Sequence, residues 1–202
     1  MSTLPTTPTF AMRTTCITLA GQASAWVRQW SHLVPAGGRV LDVACGQGRH
    51  LAWFVQQGHW ALGIDRDAQA LAAIDLPPER CQTQVADIQS QPWPLPDQRF
   101  EGVVVTNYLW CPLLPTLINS VNTGGALIYE TFSEGQGSIG RPSRADFLLR
   151  PGELLQACQG LRVVAYEDGF ESASPAGPAR FVQRIAAVRE TAEAGPHAHR
   201  LA

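Results

Sequence analysis

The sequence predicts an α/β fold, a three-layer sandwich in which a mostly parallel sheet lies between two layers of helices. Two patterns in the chain support this prediction. Short apolar runs typical of buried strands alternate with stretches of helical periodicity, and such alternation predicts parallel strands joined by right-handed crossover helices. Near the C-terminus, two apolar runs are separated only by a turn-rich connection, so we expect this last pair of strands to be antiparallel.

The first elements surround a glycine turn. Ser24 can cap a first helix, whose apolar residues have helical spacing. Residues 39–66, RVLDVACGQGRHLAWFVQQGHWALGIDR, then predict a buried strand, a tight turn at Gly46 and Gly48, a second helix and a second strand, which ends at Asp65. These two strands are expected at 40–43 and 61–64.

The alternation continues as far as a fifth strand. Asp67 can cap a short third helix, and Gly124 and Gly125 are expected to form a turn before the fifth strand. The predicted bounds are 82–86 for the third strand, 100–105 for the fourth, 113–121 for the helix that follows and 126–130 for the fifth strand. A polar, glycine-rich loop over 133–145 precedes a last helix that begins at Pro151. The antiparallel pair is expected at 161–167 and 181–188.

The composition limits the possible classes of protein. A chain of 202 residues with 45% hydrophobic residues can bury one core, so we expect a single domain over 16–189 between flexible tails at 1–15 and 190–202. A net charge of −2 and a pI near 6.2 indicate no general affinity for nucleic acid or anionic membranes. No apolar run approaches the ~20 residues that span a bilayer.

The cysteines indicate a reducing compartment. All five are scattered and none forms a C-x-x-C pair, which argues against a disulfide framework and a zinc site. We therefore expect a cytoplasmic protein without a bound metal. The N-terminal tail lacks the basic start and apolar centre of a secretory signal, whereas a short transit peptide stays open.

The glycine turn and Asp65 together predict a nucleoside-containing cofactor. Glycines let the backbone approach a ligand closely, and a carboxylate at the end of the neighbouring strand suits a ribose. Asp65 lies 19 residues after Gly46, near the ~20-residue spacing expected for such a contact. The dinucleotide fingerprint requires a third small residue where this chain has Leu51, so the match to that fingerprint is incomplete.

Residues 40–48, VLDVACGQG, resemble the first motif of class I S-adenosylmethionine-dependent methyltransferases. Residues 130–153 are similar to a stretch of small bacterial methyltransferases of the tellurite-resistance type. The resemblance implies a Rossmann-like sheet of seven strands in the order 3-2-1-4-5-7-6, with S-adenosylmethionine as cofactor and S-adenosylhomocysteine as product. Asp65 then corresponds to the ribose-binding acid, and Asp87, with the main chain of Ile88, to the adenine-binding acid. The predicted cofactor residues are Trp26, Asp42, Ala44, Cys45, Gly46, Gly48, Asp65, Arg66, Asp87, Ile88, Asn107 and Leu109.

The end of the fourth strand should lie beside the reactive end of the cofactor. The Pro-Pro-aromatic signature of amino-methyltransferases does not follow Asn107, which argues against methylation of exocyclic amines in nucleic acid. Tyr108 and Glu130 are the candidate catalytic residues, because either could remove a proton from an acceptor, although Glu130 could instead hold a loop. The candidate substrate residues are Trp110, Arg141 and Arg150.

Taken together, these features favour a methyltransferase that moves a methyl group to a small-molecule acceptor by in-line displacement. We expect a monomer or homodimer, with neither nucleic acid nor membrane as a partner. Two alternatives stay open. One is a methyltransferase-like subunit that binds a partner or senses the cofactor without catalysis, and the other is an NAD-dependent oxidoreductase.

Overall fold

A single sheet of seven strands organises the computed structural model of the protein, which describes residues 21–174, 177–192 and 201. The strands are β1 (Arg39–Val43), β2 (Trp60–Asp65), β3 (Cys81–Val85), β4 (Phe100–Thr106), β5 (Val121–Phe132), β6 (Arg162–Glu171) and β7 (Arg180–Val188). Their spatial order is β3-β2-β1-β4-β5-β7-β6. Strands β1 to β5 are parallel, whereas β7 is antiparallel to both β5 and β6. The predicted order and the antiparallel C-terminal pair are confirmed.

The described residues form five α-helices and four short 3₁₀ helices. The α-helices are α1 (Ala25–Trp30), α2 (Arg49–Gln56), α3 (Ala68–Ala72), α4 (Leu114–Asn119) and α5 (Glu153–Ala157). Ser24 and Asp67 cap α1 and α3 as predicted: the Trp26 N–H donates to Ser24 Oγ, and the N–H groups of Gln69 and Ala70 donate to Asp67 Oδ1. The tail predicted at 1–15 lies outside the described residues, as does most of that at 190–202.

Apolar side chains alternate along the strands and build a core on each face of the sheet. On one face, Val104 belongs to a buried cluster with Trp30 of α1 and Phe54 of α2. On the other face, its neighbour Val103 belongs to a cluster with Leu117 of α4. Burying a side chain of this size stabilises a fold by about 1.5–3 kcal/mol, so both helical layers are held on the sheet mainly by these clusters. The three-layer sandwich is therefore confirmed.

Strand β5 is longer than the sequence indicates. It begins at Val121, which was expected to end a helix, and it continues through the glycine pair that was expected to form a turn. Gly124 has a φ of +79°, and the pairing with β4 changes register between Phe100 and Gly102. The glycine pair therefore makes an irregular, bulged start to the strand instead of a turn.

The C-terminal hairpin also extends further than predicted. Strand β6 runs to Glu171, four residues past the expected end, and β7 already begins at Arg180. Two contacts across the hairpin explain the extension, since the Arg180 Nε lies 2.5 Å from Glu171 Oε2 and the rings of Phe170 and Phe181 are 4.9 Å apart. Cross-strand ion pairs and aromatic pairs of this kind stabilise a ladder beyond its apolar residues.

The bulge in β5 predicts an intolerance to side chains at Gly125. A Cβ there would lie 2.9 Å from the carbonyl oxygen of Glu101 and 3.0 Å from that of Phe100, and backbone atoms in a ladder cannot move aside. We expect Gly125→Ala to lower the free energy of unfolding, measured in urea, by about 1–3 kcal/mol. Gly160→Ala is the control, because a Cβ at that position meets nothing within 4 Å. Equal effects of the two substitutions would contradict this account of the bulge.

Candidate functional site

The glycine turn between β1 and α2 is held by the carboxylate at the end of β2. The Gly46 N–H donates to Asp65 Oδ2 with an N–O distance of 2.8 Å, and the Asp67 N–H donates to Oδ1 at 2.9 Å. Gly46 and Gly48 have φ angles of +53° and +76°, a region that glycine enters without steric cost. A carboxylate has about four lone-pair sites, so Asp65 can accept further hydrogen bonds from a ligand in the cavity that it lines.

Leu51 fills the space beneath this turn. A Cβ added to Gly63 of β2 would lie 2.6 Å from Leu51 Cδ1 and 2.7 Å from Cys45 Sγ, so the small residue that makes room here comes from the strand. The third small residue of the dinucleotide pattern is thus replaced by a large buried side chain, with the compensating glycine on β2. Burial strongly raises the pKa of the Cys45 thiol, which therefore stays neutral and is not a nucleophile.

A first cavity, of about 350 Å³, opens beside Asp65 at the C-terminal edge of the sheet. Asp87 lies on its wall, and the hydrogen bond from the Ser90 hydroxyl, assisted by the Gln89 N–H, holds the pKa of Asp87 below its ordinary value. Asp87 is therefore an ionised acceptor at neutral pH, next to apolar side chains. The predicted residues that line this cavity are Ala44, Asp65, Arg66, Asp87, Ile88, Asn107, Tyr108 and Leu109.

Several residues on this wall were not predicted from the sequence. Thr131, Phe132, Pro142 and Phe147 all line the first cavity, and they come from the end of β5 and the loop that follows it. The sequence signal for them was the position of the loop at the C-terminal edge of the sheet, but this signal does not indicate which loop residues turn inward.

A second cavity, of about 310 Å³, lies over the glycine turn, and a third, of about 640 Å³, lies between α1, β5 and the hairpin. Arg49 lines both, and its Nη2 makes only a long contact of 3.4 Å with Thr106 Oγ1. Asn107 lines all three cavities. The end of β4 is therefore the point at which the three cavities meet.

Buried polar groups on the α1 and α2 face connect the turn to the third cavity. Asp42 and His50 are 1% and 2% exposed, and the Asp42 Oδ2 lies 3.7 Å from His50 Nδ1. The Ser24 N–H donates to His50 Nε2 at 3.2 Å, and the Ser24 hydroxyl donates to Glu130 Oε1 at 2.8 Å. Since Nε2 accepts a hydrogen bond, a neutral His50 carries its proton on Nδ1, facing Asp42. The residues that lead into α1 are thus attached to the sheet at two points.

Glu130, a candidate base, is engaged by three partners. Besides Ser24, its Oε2 lies 3.3 Å from Arg180 Nη2 and 3.2 Å from Arg184 Nη1, and its side chain is only 2% exposed. Both carboxylate oxygens are therefore already engaged, one by a hydroxyl and the other by two guanidinium groups. The structure therefore favours the alternative in which Glu130 holds neighbouring segments in place.

Tyr108, the other candidate base, lines the first cavity but has the wrong protonation state for that task. Burial raises its pKa above the usual value of 10.0, so the phenol keeps its proton at neutral pH. A protonated phenol can donate a hydrogen bond or stack against a ligand, and it cannot remove a proton from an acceptor.

Some predicted residues lie away from the cavities. Trp26 is buried against the sheet, where its Nε1–H donates to the Ile185 carbonyl, so it belongs to the core. Trp110 packs against the other core, and Arg150 is 73% exposed and pairs with Glu153. None of these three lines one of the three cavities, and neither do Asp42 and Gly48, which support the turn from behind. Arg141, in contrast, lines the third cavity.

Two further observations concern metals and membranes. Within the described ranges, no group of three or more His, Cys, Asp or Glu side chains could hold a metal ion. No helix in the same part of the chain has both the length and the apolar character that crossing a membrane requires.

The sheet order, the antiparallel β7 and the glycine turn held by Asp65 define the fold of class I S-adenosylmethionine-dependent methyltransferases. A family model described as a methyltransferase domain matches residues 40–123, from β1 to the start of β5. The resemblance predicted from the sequence is confirmed. None of the curated proteins matches the chain by sequence.

Solved structures share this fold at low sequence identity. TehB from Haemophilus influenzae is 18% identical with a TM-score of 0.62, over 79% of this chain and 60% of TehB, so the chain spans less than two thirds of that protein. A TehB-like S-adenosylmethionine-dependent methyltransferase from Corynebacterium glutamicum is 18% identical with a TM-score of 0.56, over 81% of this chain and 86% of that one. The glycopeptide N-methyltransferase MtfA, complexed with S-adenosylmethionine, is 20% identical with a TM-score of 0.56, over 89% of this chain and 99% of MtfA.

The contacts of Glu130 predict a structural role that can be measured. Glu130→Gln keeps an acceptor for Ser24 and removes the negative charge that faces Arg180 and Arg184, so we expect the free energy of unfolding in urea to fall by about 3 kcal/mol. Glu167→Gln is the matched control, since Glu167 also pairs with Arg184 but is 58% exposed. Glu167→Gln should change the free energy of unfolding by less than about 1 kcal/mol. A larger effect of the control than of Glu130→Gln would refute the role of Glu130.

Proposed function

We propose that the protein is an S-adenosylmethionine-dependent methyltransferase that transfers a methyl group to a small-molecule acceptor by in-line displacement. The observation that carries this proposal is the meeting of the three cavities at Asn107. The first two fit the two ends of a nucleoside-containing methyl donor, and the third provides a separate space for an acceptor. We further propose a single domain over 16–189, a cytoplasmic location, and a monomer or homodimer.

The residues of the first cavity fit the adenosine part of S-adenosylmethionine. Asp65 has acceptor sites left for the two ribose hydroxyls after holding the turn. Asp87 is ionised and can accept from the adenine amino group, while the buried side chains of Ile88 and Leu109 offer apolar walls for the flat ring. MtfA, which shares the fold, was crystallised with S-adenosylmethionine and with S-adenosylhomocysteine.

The residues of the second cavity fit the methionine part. The half-buried guanidinium of Arg49 lacks a carboxylate partner among the described residues, and it can pair with the carboxylate of the ligand. The buried Asp42, with no hydrogen bond to its Oδ2 in the described part of the chain, places negative charge behind the turn and favours the ammonium group. The guanidinium of Arg49 on the cavity wall and the carboxylate of Asp42 behind the turn therefore suit the carboxylate and the ammonium group of the donor.

The bound donor supplies a methyl group that is already activated by the sulfonium sulfur. The contribution of the chain is to hold donor and acceptor in line on the two sides of Asn107. Such positioning can supply about 7–11 kcal/mol of the lowering of the barrier. Tyr108 and Phe132 border the first cavity and offer aromatic surface to the bound ligand.

Isothermal titration calorimetry tests the proposal directly. We expect S-adenosylmethionine and S-adenosylhomocysteine to bind, and NAD to bind far more weakly, because Leu51 occupies the place of the third small residue. Tight NAD binding without sulfonium binding would favour the oxidoreductase alternative. Sulfonium binding with no S-adenosylhomocysteine formed over a broad acceptor panel would favour the non-catalytic subunit.

Replacement of Asp65 should weaken binding of the cofactor. Asp65→Ala removes an ionised acceptor for the ribose and the clamp on the turn, so we expect the affinity for S-adenosylhomocysteine, measured by calorimetry, to fall by about 1.5–3 kcal/mol. Asp67→Asn is the control, because Asp67 lies two residues away and only caps α3, which asparagine also can do. If Asp65→Ala binds S-adenosylhomocysteine with unchanged affinity, Asp65 does not contact the cofactor.

Asp87 should discriminate between adenine and hypoxanthine. The wild-type protein is expected to bind S-adenosylhomocysteine about tenfold more tightly than S-inosylhomocysteine, which lacks the exocyclic amino group. Asp87→Ala should abolish that preference by weakening only the adenine ligand. Comparison of the two ligands on each protein controls for misfolding, and an unaltered preference in the variant would place the adenine elsewhere.

A further inference from the structure

The third cavity has an excess of positive charge. Its described lining carries five arginines and two glutamates, and both glutamates are already neutralised. Glu130 pairs with Arg180 and Arg184, and Glu171 pairs with the same two arginines at 2.5 and 3.2 Å. This network holds β7 against β5 and leaves no free negative charge on the described lining.

The three remaining arginines of the cavity have no acidic partner in the part of the chain that the structure describes. Within the described residues, no carboxylate oxygen lies within 4.0 Å of the guanidinium nitrogens of Arg28, Arg49 or Arg141. If Arg49 holds the carboxylate of the donor, Arg28 and Arg141 still face the acceptor space. An acceptor with a negative charge is therefore favoured, since guanidinium groups bind carboxylates and similar anions by charge-assisted hydrogen bonds.

Among the described residues, none at the junction is placed to remove a proton from an acceptor. Tyr108 is protonated because burial raises its pKa, and His50 Nε2 already accepts from the Ser24 N–H. Glu130 and Glu171 are held by arginines, as described above. Among the described residues that line the second and third cavities, no carboxylate or imidazole is thus free to act as a general base. An ammonium or alcohol acceptor would need such a base, whereas an ionised acceptor would not.

We propose that the acceptor is a small organic anion that is methylated at an atom already ionised in solution, a carboxylate oxygen or a thiolate sulfur. This proposal rests on the methyltransferase function proposed above. The acceptor atom forms its bond to the methyl carbon as the bond from that carbon to the donor sulfur breaks, and the sulfur keeps the electron pair as a thioether. No proton moves. The volume of about 640 Å³ and the side chain of Phe132 suit an organic body larger than an inorganic oxyanion.

Labelled transfer to a defined panel tests the acceptor class. The protein is first shown by calorimetry to bind S-adenosylhomocysteine, so that a failure of the proposed function is recognised separately. It is then incubated with trideuteromethyl S-adenosylmethionine and phenylacetate, benzoate, 4-mercaptobenzoate, phenethylamine, benzyl alcohol or selenite, and the products are analysed by mass spectrometry. We expect label in the acids or the thiol alone. Mild alkali releases the label from a methyl ester and not from a thioether, which distinguishes oxygen from sulfur.

Two outcomes would overturn the proposal. One is label in the amine, the alcohol or selenite alone, and the other is the absence of label from every acid and thiol although S-adenosylhomocysteine binds.

Charge recognition is tested with Arg141→Gln. We expect the KM of the labelled anion to rise at least about tenfold, while the Kd of S-adenosylhomocysteine stays within about twofold. Arg144→Gln is the matched control, because Arg144 lies on the same loop, pairs with Asp146 and lines none of the three cavities. Equal KM values for the two variants would contradict a role of the arginine charge.

Discussion

The hydrogen bond from the Gly46 N–H to Asp65 is the interaction on which the candidate site depends. It ties the end of β2 to the turn that follows β1, and the neighbouring bond from the Cys45 N–H to the Ile64 carbonyl continues the pairing of the two strands into the turn. The glycines can then enter the left-handed region, and α2 begins directly above the cavity. Loss of the carboxylate would leave the turn attached to β2 by that main-chain bond, without the side-chain contact to the Gly46 N–H.

A second constraint is the placement of charge inside the α1 and α2 face. Buried carboxylates are costly unless they are paired, and Glu130 is stabilised by two arginines and a hydroxyl. Among the described residues, the Asp42 carboxylate has only the His50 ring nearby, at 3.7 Å, and is therefore the less well compensated of the two. The same network attaches Ser24, and with it the wall of the third cavity, to the sheet, so the second and third cavities share one support.

The sequence predicts well the features that arise from local pattern. The alternation of strand and helix patterns predicted the sheet. The spacing between the glycine turn and Asp65 predicted that this carboxylate lies beside the turn, and the hydrogen bond from the Gly46 N–H shows that it does. The pattern failed where an outcome depends on distant partners. In the sequence, Glu130 has the position of a free acid at the end of a strand. The two arginines that pair with it, Arg180 and Arg184, lie 50 and 54 residues away in the chain. The sequence pattern allows Trp26 to be either a core residue or part of a cavity wall, because the pattern does not indicate how α1 packs on the sheet.

The junction of the three cavities owes its shape to the backbone of Asn107. Strand β4 ends at Thr106, and Asn107 has a φ of +55°, while its N–H still donates to the Glu130 carbonyl at 2.9 Å. The chain therefore leaves the sheet abruptly, which opens the space shared by the three cavities. A left-handed conformation costs most residues about 1–2 kcal/mol, and asparagine is one of the few side chains that tolerates it. Steric preference thus accounts for the asparagine, so its identity alone is no evidence of a chemical role. Its position at the end of β4 is what places it on the lining of all three cavities.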